Sequence, residues 1–399
     1  MTIDDIIIKG EDHKAPFLNI SASKDGIIRI LFNNKFSIIN ITNGKGNITL
    51  DRVDEGNYTV FAVREGDENY NDAVNTTAFK VMQYIGNFIV NSTNGHYDTL
   101  REAIQGSADE DVIYALEGNY SGVDNLGLTI SGKKLTIIAL GDVVFDADST
   151  DSSFLTVSEN SDVTLEDIVI TGFNSKNKDA VILNKGNFTF DGCTVTKYNW
   201  VSDAGGSRFI DSEGNLNIID SEFYDNVISI LIDATGGEVI INGSEFENNT
   251  IKSGFISLHS LNSAKIISNV FAENIISRQD FLFVSGSKDV FINSEFYNNQ
   301  CDYLILAYSN TNMLVNNSIF IGNTVKKILR TDANDQSIIS ESVFKDNAAE
   351  NIVLSSDKKL SVLESTFSDN TISENGALNI ASGNAIVNGS IINVQGIEY

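Results

Sequence analysis

The sequence predicts an all-β protein: a right-handed parallel β-helix of about eleven coils, preceded by a small immunoglobulin-like β-sandwich. Three rows of residues in one register predict the helix. The first is an aromatic ladder, Phe223, Phe246, Phe271, Phe296, Phe320, Phe344 and Phe367, with steps of about 24 residues, one turn of a solenoid. It extends back through Val195, Ile170 and Phe145, and forward to Ile392. The second row lies three residues later: Asn226, Asn249, Asn274, Asn299, Asn323, Asn347 and Asn370. The third lies five residues before the ladder, from Leu165 and Phe190 through Ile218 and Ile241 to Val362 and Val387, and never breaks its apolar character.

Stacked coils explain each row. Successive turns lie about 4.8 Å apart, so like residues stack on like. Phenylalanine on phenylalanine fills the bore. Asparagine tolerates the left-handed backbone of a tight bend, and its amide both donates and accepts along the axis. A serine row two residues before the ladder runs from Ser221 to Ser390, with Asn269 and Cys193 as variants. The long step from Val195 to Phe223 holds a loop, from Tyr198-Asn199-Trp200 to Gly205-Gly206. Leucine-rich repeats are excluded by the missing L-x-x-L-x-L pattern.

An open solenoid end needs a cap. Tyr97, Leu100, Ala103 and Ile104 share a helical face, which predicts a capping helix near 97–105. The strand Val112 to Leu116 and then Glu117-Gly118-Asn119-Tyr120 would form the first coil. The helix domain is therefore expected over 85–399. Residues 1–84 lack the ladder and show short strands instead: Ile27 to Phe32, Phe36 to Ile41, a turn at Asn43-Gly44, and Asn47 to Leu50. Asp54-Glu55-Gly56-Asn57-Tyr58-Thr59-Val60 has the form of a tyrosine corner, which points to a sandwich acting as a spacer.

Composition narrows the function. The formal net charge is -27, from 54 acidic against 27 basic residues. Such a surface repels nucleic acid and anionic membrane. Pro16 is the single proline, and Cys193 and Cys301 lie too many coils apart to pair. The start MTIDDIIIKG is not a signal peptide, and no apolar stretch approaches the roughly 20 residues of a membrane helix.

Two segments carry a family resemblance. One is Glu55-Gly56-Asn57-Tyr58-Thr59-Val60 with Gly66-Asp67-Glu68-Asn69-Tyr70-Asn71. The other runs from Tyr97-Asp98-Thr99-Leu100 through Leu128-Thr129-Ile130 to Leu135-Thr136-Ile137-Ile138. Together they resemble the adhesin-like surface proteins of methanogenic archaea, which join immunoglobulin-like repeats to a pectate-lyase-like β-helix. The resemblance implies an extracellular, wall-associated protein attached to glycans or to a surface protein of another cell. Such a protein carries an export signal and often an anchor, so this chain is expected to be a fragment or processed form. No catalytic motif of that family carries over.

The first expectation is therefore a non-enzymatic adhesin. The alternative is a polysaccharide lyase or glycoside hydrolase on the same fold, and a third reading is a plain structural rod. An enzyme would show acidic residues at one offset on successive coils. Asp302, Lys326 and Glu350 share an offset, but their signs alternate, as in a cross-rung ion-pair ladder. Lys327, Arg330 and Asp332 are polar candidates for holding an anionic sugar, and Arg208, Asp211 and Asp233 form a second cluster. No cofactor is expected. Calcium is the one metal left open, through Asp146, Asp148 and Asp151, although the glycine and closing glutamate of an EF-hand are missing. His13, His96 and His259 are too scattered for zinc. Roughly a dozen N-x-S/T sequons include Asn57 and Asn119, a number that the abundance of asparagine explains by chance.

The strand after each asparagine turn reads as apolar in both parities, at Ile230-Leu231-Ile232, Phe281-Leu282-Phe283-Val284, Leu304-Ile305-Leu306-Ala307 and Ile352-Val353-Leu354. A half-exposed strand alternates. The expectation is a greasy outer face, with Phe281, Phe283, Leu304, Leu306, Ile352 and Leu354 as a contact surface for a partner or for self-association.

Overall fold

The computed structural model describes residues 6–9, 15–66, 73–84, 86–174, 180–199, 207–277, 280–308, 311–332, 336–373, 376–380 and 384–395. The chain divides into two compact units, Met1–Asn87 with His96–Asp98, and Phe88–Gly95 with Thr99–Tyr399.

The first unit holds a five-stranded sheet in the order Ile6–Lys9, Ala73–Tyr84, Gly56–Arg64, Gly26–Phe32, Lys35–Ile41, and a hairpin-like pair of Phe17–Ser21 with Lys45–Thr49. Ile30, Val60 and Val81 are fully buried at its core, and Phe32, Tyr58 and Phe79 cluster there. The Tyr58 hydroxyl donates to the Asp54 carbonyl at 2.9 Å, closing the bend before its strand. The Gly66 to Asn71 segment of the family resemblance lies almost wholly outside the described residues.

The second unit is a right-handed parallel β-helix. Each full coil contributes three strands, one to each of three faces. The first face includes Asp162–Glu166, Asn187–Asp191, Asn215–Ile219 and Glu238–Asn242. The second includes Val169–Thr171, Thr194–Thr196 and Glu222–Tyr224. The third includes Ala180–Asn184, Arg208–Ser212 and Val227–Thr235. The ladder is the register of the second face. Phe145 pairs with Ile170, Ile170 with Val195, Val195 with Phe223, and so on without a slip to Phe367 with Ile392. From Phe223 to Phe367 the rings stack at 4.6 to 4.9 Å, which is the rung spacing itself.

The asparagines form a hydrogen-bonded column. Each side-chain amide donates to the next oxygen, at 2.9 Å from Asn226 to Asn249 and 3.1 Å from Asn299 to Asn323. The left-handed residue of the bend is not the ladder asparagine, as its residue type suggested. It is the residue before it: Asp225, Asn248, Glu273, Asn298, Gly322, Asp346 and Asp369 all have positive φ. The ladder asparagine instead turns inward, where its amide pairs with buried backbone groups.

The capping helix is Leu100–Gly106, and Tyr97 precedes it on the strand Gly95–Tyr97 rather than sharing its face. Thr99 and Glu102 close a reciprocal capping box, which stops the helix from extending back. Leu100, Ala103 and Ile104 are buried. The Lys133 ammonium donates to the Ile104 and Ser107 carbonyls at 2.9 and 2.6 Å, covering the helix C-terminus. The loop at 200–206 lies outside the described residues.

Candidate active site

The third face corrects the expected greasy surface. Phe281, Leu304 and Ile352 are fully buried in the bore, each beside a second buried residue, Leu282, Ile305 or Val353. The pairing explains this. Asp280 pairs with Tyr303 and Leu282 with Ile305, while the residues between them are skipped. The strand bends there and two consecutive side chains point inward, so both parities are apolar without an apolar exterior. Of the expected contact residues, Phe283, Leu306 and Leu354 alone point outward. Phe283 lies between the His259 ring, 5.2 Å away, and the Tyr308 ring, 6.0 Å away. Leu306 is covered as well, at 4 % exposure, and Leu354 is half-buried.

The remaining outward side chains of this face are polar and matched to one another. The Arg330 Nε donates to Asp332 at 2.9 Å, its Nη1 donates to the Tyr303 hydroxyl at 3.1 Å, and its guanidinium lies over the Tyr303 and Tyr308 rings. Lys327 is buried and pairs with Glu350 at 2.6 Å, while Lys326 pairs with Asp302 at 2.8 Å. Asp302, Lys326 and Glu350 thus do not form one ladder, because Glu350 turns to Lys327. Arg208 reaches Asp233 at 2.6 Å and Asp211 at 3.8 Å, and His259 approaches Asp233 at 3.6 Å. Every cation named here already has its carboxylate, which makes this face a bracing network across the coils.

The first face carries a different arrangement. Glu166 and Asp191 are direct partners on adjacent coils, each the last residue of its strand. Asp167 follows Glu166 into the turn, and Asp220 stands at the same turn position one coil beyond Asp191, both with left-handed backbone. Burial pushes the Asp191 carboxyl above the usual range, and the charges of Asp220 and Asp167 push it further the same way. A carboxyl raised in this way beside two other carboxylates is the kind of pairing that glycosidic cleavage uses. Cys193 is close by, but burial raises its thiol to about 12, so it is no thiolate nucleophile.

Turn geometry fixes these carboxylates. A Cβ at Gly192 would lie 2.4 Å from the Asp167 Oδ1, and one at Gly243 would lie 2.1 Å from the Asp220 Oδ1. Each carboxylate therefore covers the glycine of the next coil. Asn298 covers Gly322 in the same way at the bend after the second face, and Asn317 takes the left-handed position of the first-face turn on a later coil, so an amide suffices there. The offset rule for acidic residues on successive coils would have found Glu166 and Asp191, each one residue after its apolar-row position, Leu165 or Phe190.

Asp146, Asp148 and Asp151 lie at a turn, where Asp146 accepts from the Asp148 backbone at 2.8 Å. Among the described residues no group of three or more histidine, cysteine or acidic side chains is placed to hold a metal ion. No described helix is long and apolar enough to cross a membrane.

No protein-family model and no curated protein matches the chain. Among solved structures it is similar to the catalytic domain of a GH87 α-1,3-glucanase in complex with nigerose, at 10% identity and a TM-score of 0.36, over 95% of this chain and 91% of that one. It is also similar to the A-module of a mannuronan C-5 epimerase from Azotobacter vinelandii, at 13% identity and a TM-score of 0.21, over 67% and 92%. A third is a periplasmic alginate epimerase, at 10% identity and a TM-score of 0.24, over 72% and 86%. The expectation of a non-enzymatic adhesin is corrected by these findings, since the β-helices named are carbohydrate-active enzymes, and none of them supports the archaeal surface family. At these identities and scores they transfer no activity, and the function rests on this chain's own side chains.

Proposed function

We propose that the β-helix is a glycoside hydrolase acting on an extracellular polysaccharide, with Asp191 as the general acid. The observation that carries this reading is the half-buried Asp191 carboxyl, flanked by Asp167 and Asp220 at the edge of an open sheet face. Asp191 donates its proton to the glycosidic oxygen as the bond to the anomeric carbon breaks. Asp220 takes a proton from the water that attacks that carbon, so the sugar gains hydroxyl and the leaving group gains hydrogen. The charge of Asp167 adds to burial and to the charge of Asp220 in raising the Asp191 carboxyl. Residues 1–84 would serve as a sandwich spacer in front of this domain.

The test is reducing-end release from a panel of polysaccharides by the parent chain and by Asp191→Asn, Asp220→Asn and Asp167→Asn. Asn317 already takes the left-handed position of this turn on a later coil, so the turns should survive. The expected result is release by the parent chain and a loss of at least about a hundredfold in Asp191→Asn. Full activity in Asp191→Asn, or no release from any member of the panel, would overturn the assignment.

A further inference from the structure

The first face continues beyond the acidic turn. Its central outward column runs Thr189, Asn217, Ile240, Lys265, Phe291, Leu314 and Ile338, each paired with the next. From Phe291 to Ile338 the column is apolar and half-buried, and it floors a hollow of 270 Å³. The rim beside it carries Asn312 and Gln336. The two charges at the hollow, Lys265 and Asp289, are of opposite sign. Four coils separate this floor from Asp191, about 19 Å along the axis at the rung spacing.

We infer that this hollow binds a stretch of neutral polysaccharide, as the distal part of the groove that ends at Asp191. The link to cleavage rests on the hydrolase reading, but the binding itself does not. A pyranose ring has an apolar C–H face and an edge of hydroxyls, which matches an aromatic and aliphatic floor beside neutral amides. The floor repeats once per coil, so its ligand repeats as well, which favours a polymer over a single sugar. The chemistry also selects against polyuronates. A chain of net charge -27 repels them, and the hollow offers one cation against one carboxylate. At five residues before Phe296, Phe291 falls in the inward apolar row by count, but Ile292 pairs with Ile266 there and is buried, so Phe291 turns outward.

The test uses the full chain with two probes, a set of linear neutral glucans of differing linkage and polygalacturonate. Binding is read by affinity electrophoresis and cleavage by product release. Phe291 and Gln336 point outward, so Phe291→Ala and Gln336→Ala should leave the coil intact, and Phe291→Trp keeps a ring. The expected result is binding of at least one neutral glucan, weakened roughly tenfold or more by Phe291→Ala and retained by Phe291→Trp. Tighter binding of polygalacturonate would overturn the inference. So would an unchanged Phe291→Ala, a shift of Phe291→Ala in self-association instead of glucan binding, or no binding of any neutral glucan. Glucan binding without product release would keep the groove and sink the hydrolase. Product release that ignores Phe291→Ala would do the reverse.

Discussion

Asn299 donates its side-chain amide to Asn323 at 3.1 Å, and neither side chain reaches solvent. The same amide donates to the Phe271 carbonyl at 2.8 Å, and its oxygen receives both the backbone N–H and the side-chain amide of Asn274. Replacing Asn299 by alanine strands several buried groups at once, at about 1–3 kcal/mol each. Asn299→Ala should lose roughly 3–5 kcal/mol in urea unfolding. Asn248→Gly, at an exposed left-handed position of the same bend, should stay within about 0.5 kcal/mol. Similar values for the two would mean that the buried column contributes little.

Phe320 stacks on Phe344 at 4.7 Å and on Phe296 at 4.9 Å, nearly parallel in both cases. Phe320→Ala leaves a void between two fixed rings that cannot close without shifting a rung. The expected cost is about 3–5 kcal/mol. Each coil touches only its neighbours, so hydrogen exchange should quicken near Phe296 and Phe344 before it does at Phe145. Uniform quickening along the whole helix would contradict that nearest-neighbour picture.

Gly192→Ala meets two penalties. Its φ of +64° is left-handed, and its new Cβ would lie 2.4 Å from the Asp167 carboxylate. Gly122 has a φ of +77° with nothing near its missing Cβ, so Gly122→Ala reports the strain alone. Gly122→Ala should cost about 1–2 kcal/mol. Gly192→Ala should cost more and should also reduce glycan cleavage, because Asp167 must move. Equal stability and unchanged cleavage in the two variants would show that Asp167 yields freely.

Asp280 is raised from the ordinary 3.8 to about 6, first by burial and then by Asp302, with Arg330 opposing. The folded state therefore favours its protonated form. That contribution is fully present below about pH 4 and is lost as the pH rises through 6. Asp280→Asn should flatten the melting temperature across this window and gain on the parent at pH 7. Parallel curves for the two would place Asp280 in contact with water.

The offset of Asp280 shows why part of the third face was hidden. It lies nine residues after Phe271, whereas Tyr303 and Lys327 lie seven after Phe296 and Phe320, yet all three occupy one column. The stretch from Phe271 to Asp280 is two residues longer than its counterparts, so counting at a fixed offset misses its member. The apolar run Phe281-Leu282-Phe283 misled for a related reason. A period of two assumes an unbent strand, and the bend at Phe281 breaks it.

The sequence by itself determined the coil count to within one, the rows of phenylalanine, asparagine and serine, and the register that joins them. These follow from identical residues stacking at one rung spacing, a relation between positions that a linear count captures. Only the tertiary structure decided which face each outward side chain shares. Asp191, Asp167 and Asp220 meet because coils of unequal length return to the same turn. Lys327 turned to Glu350 and Arg330 to Asp332 because the nearest opposite charge lies across or along a rung, where spacing in the chain carries no direction.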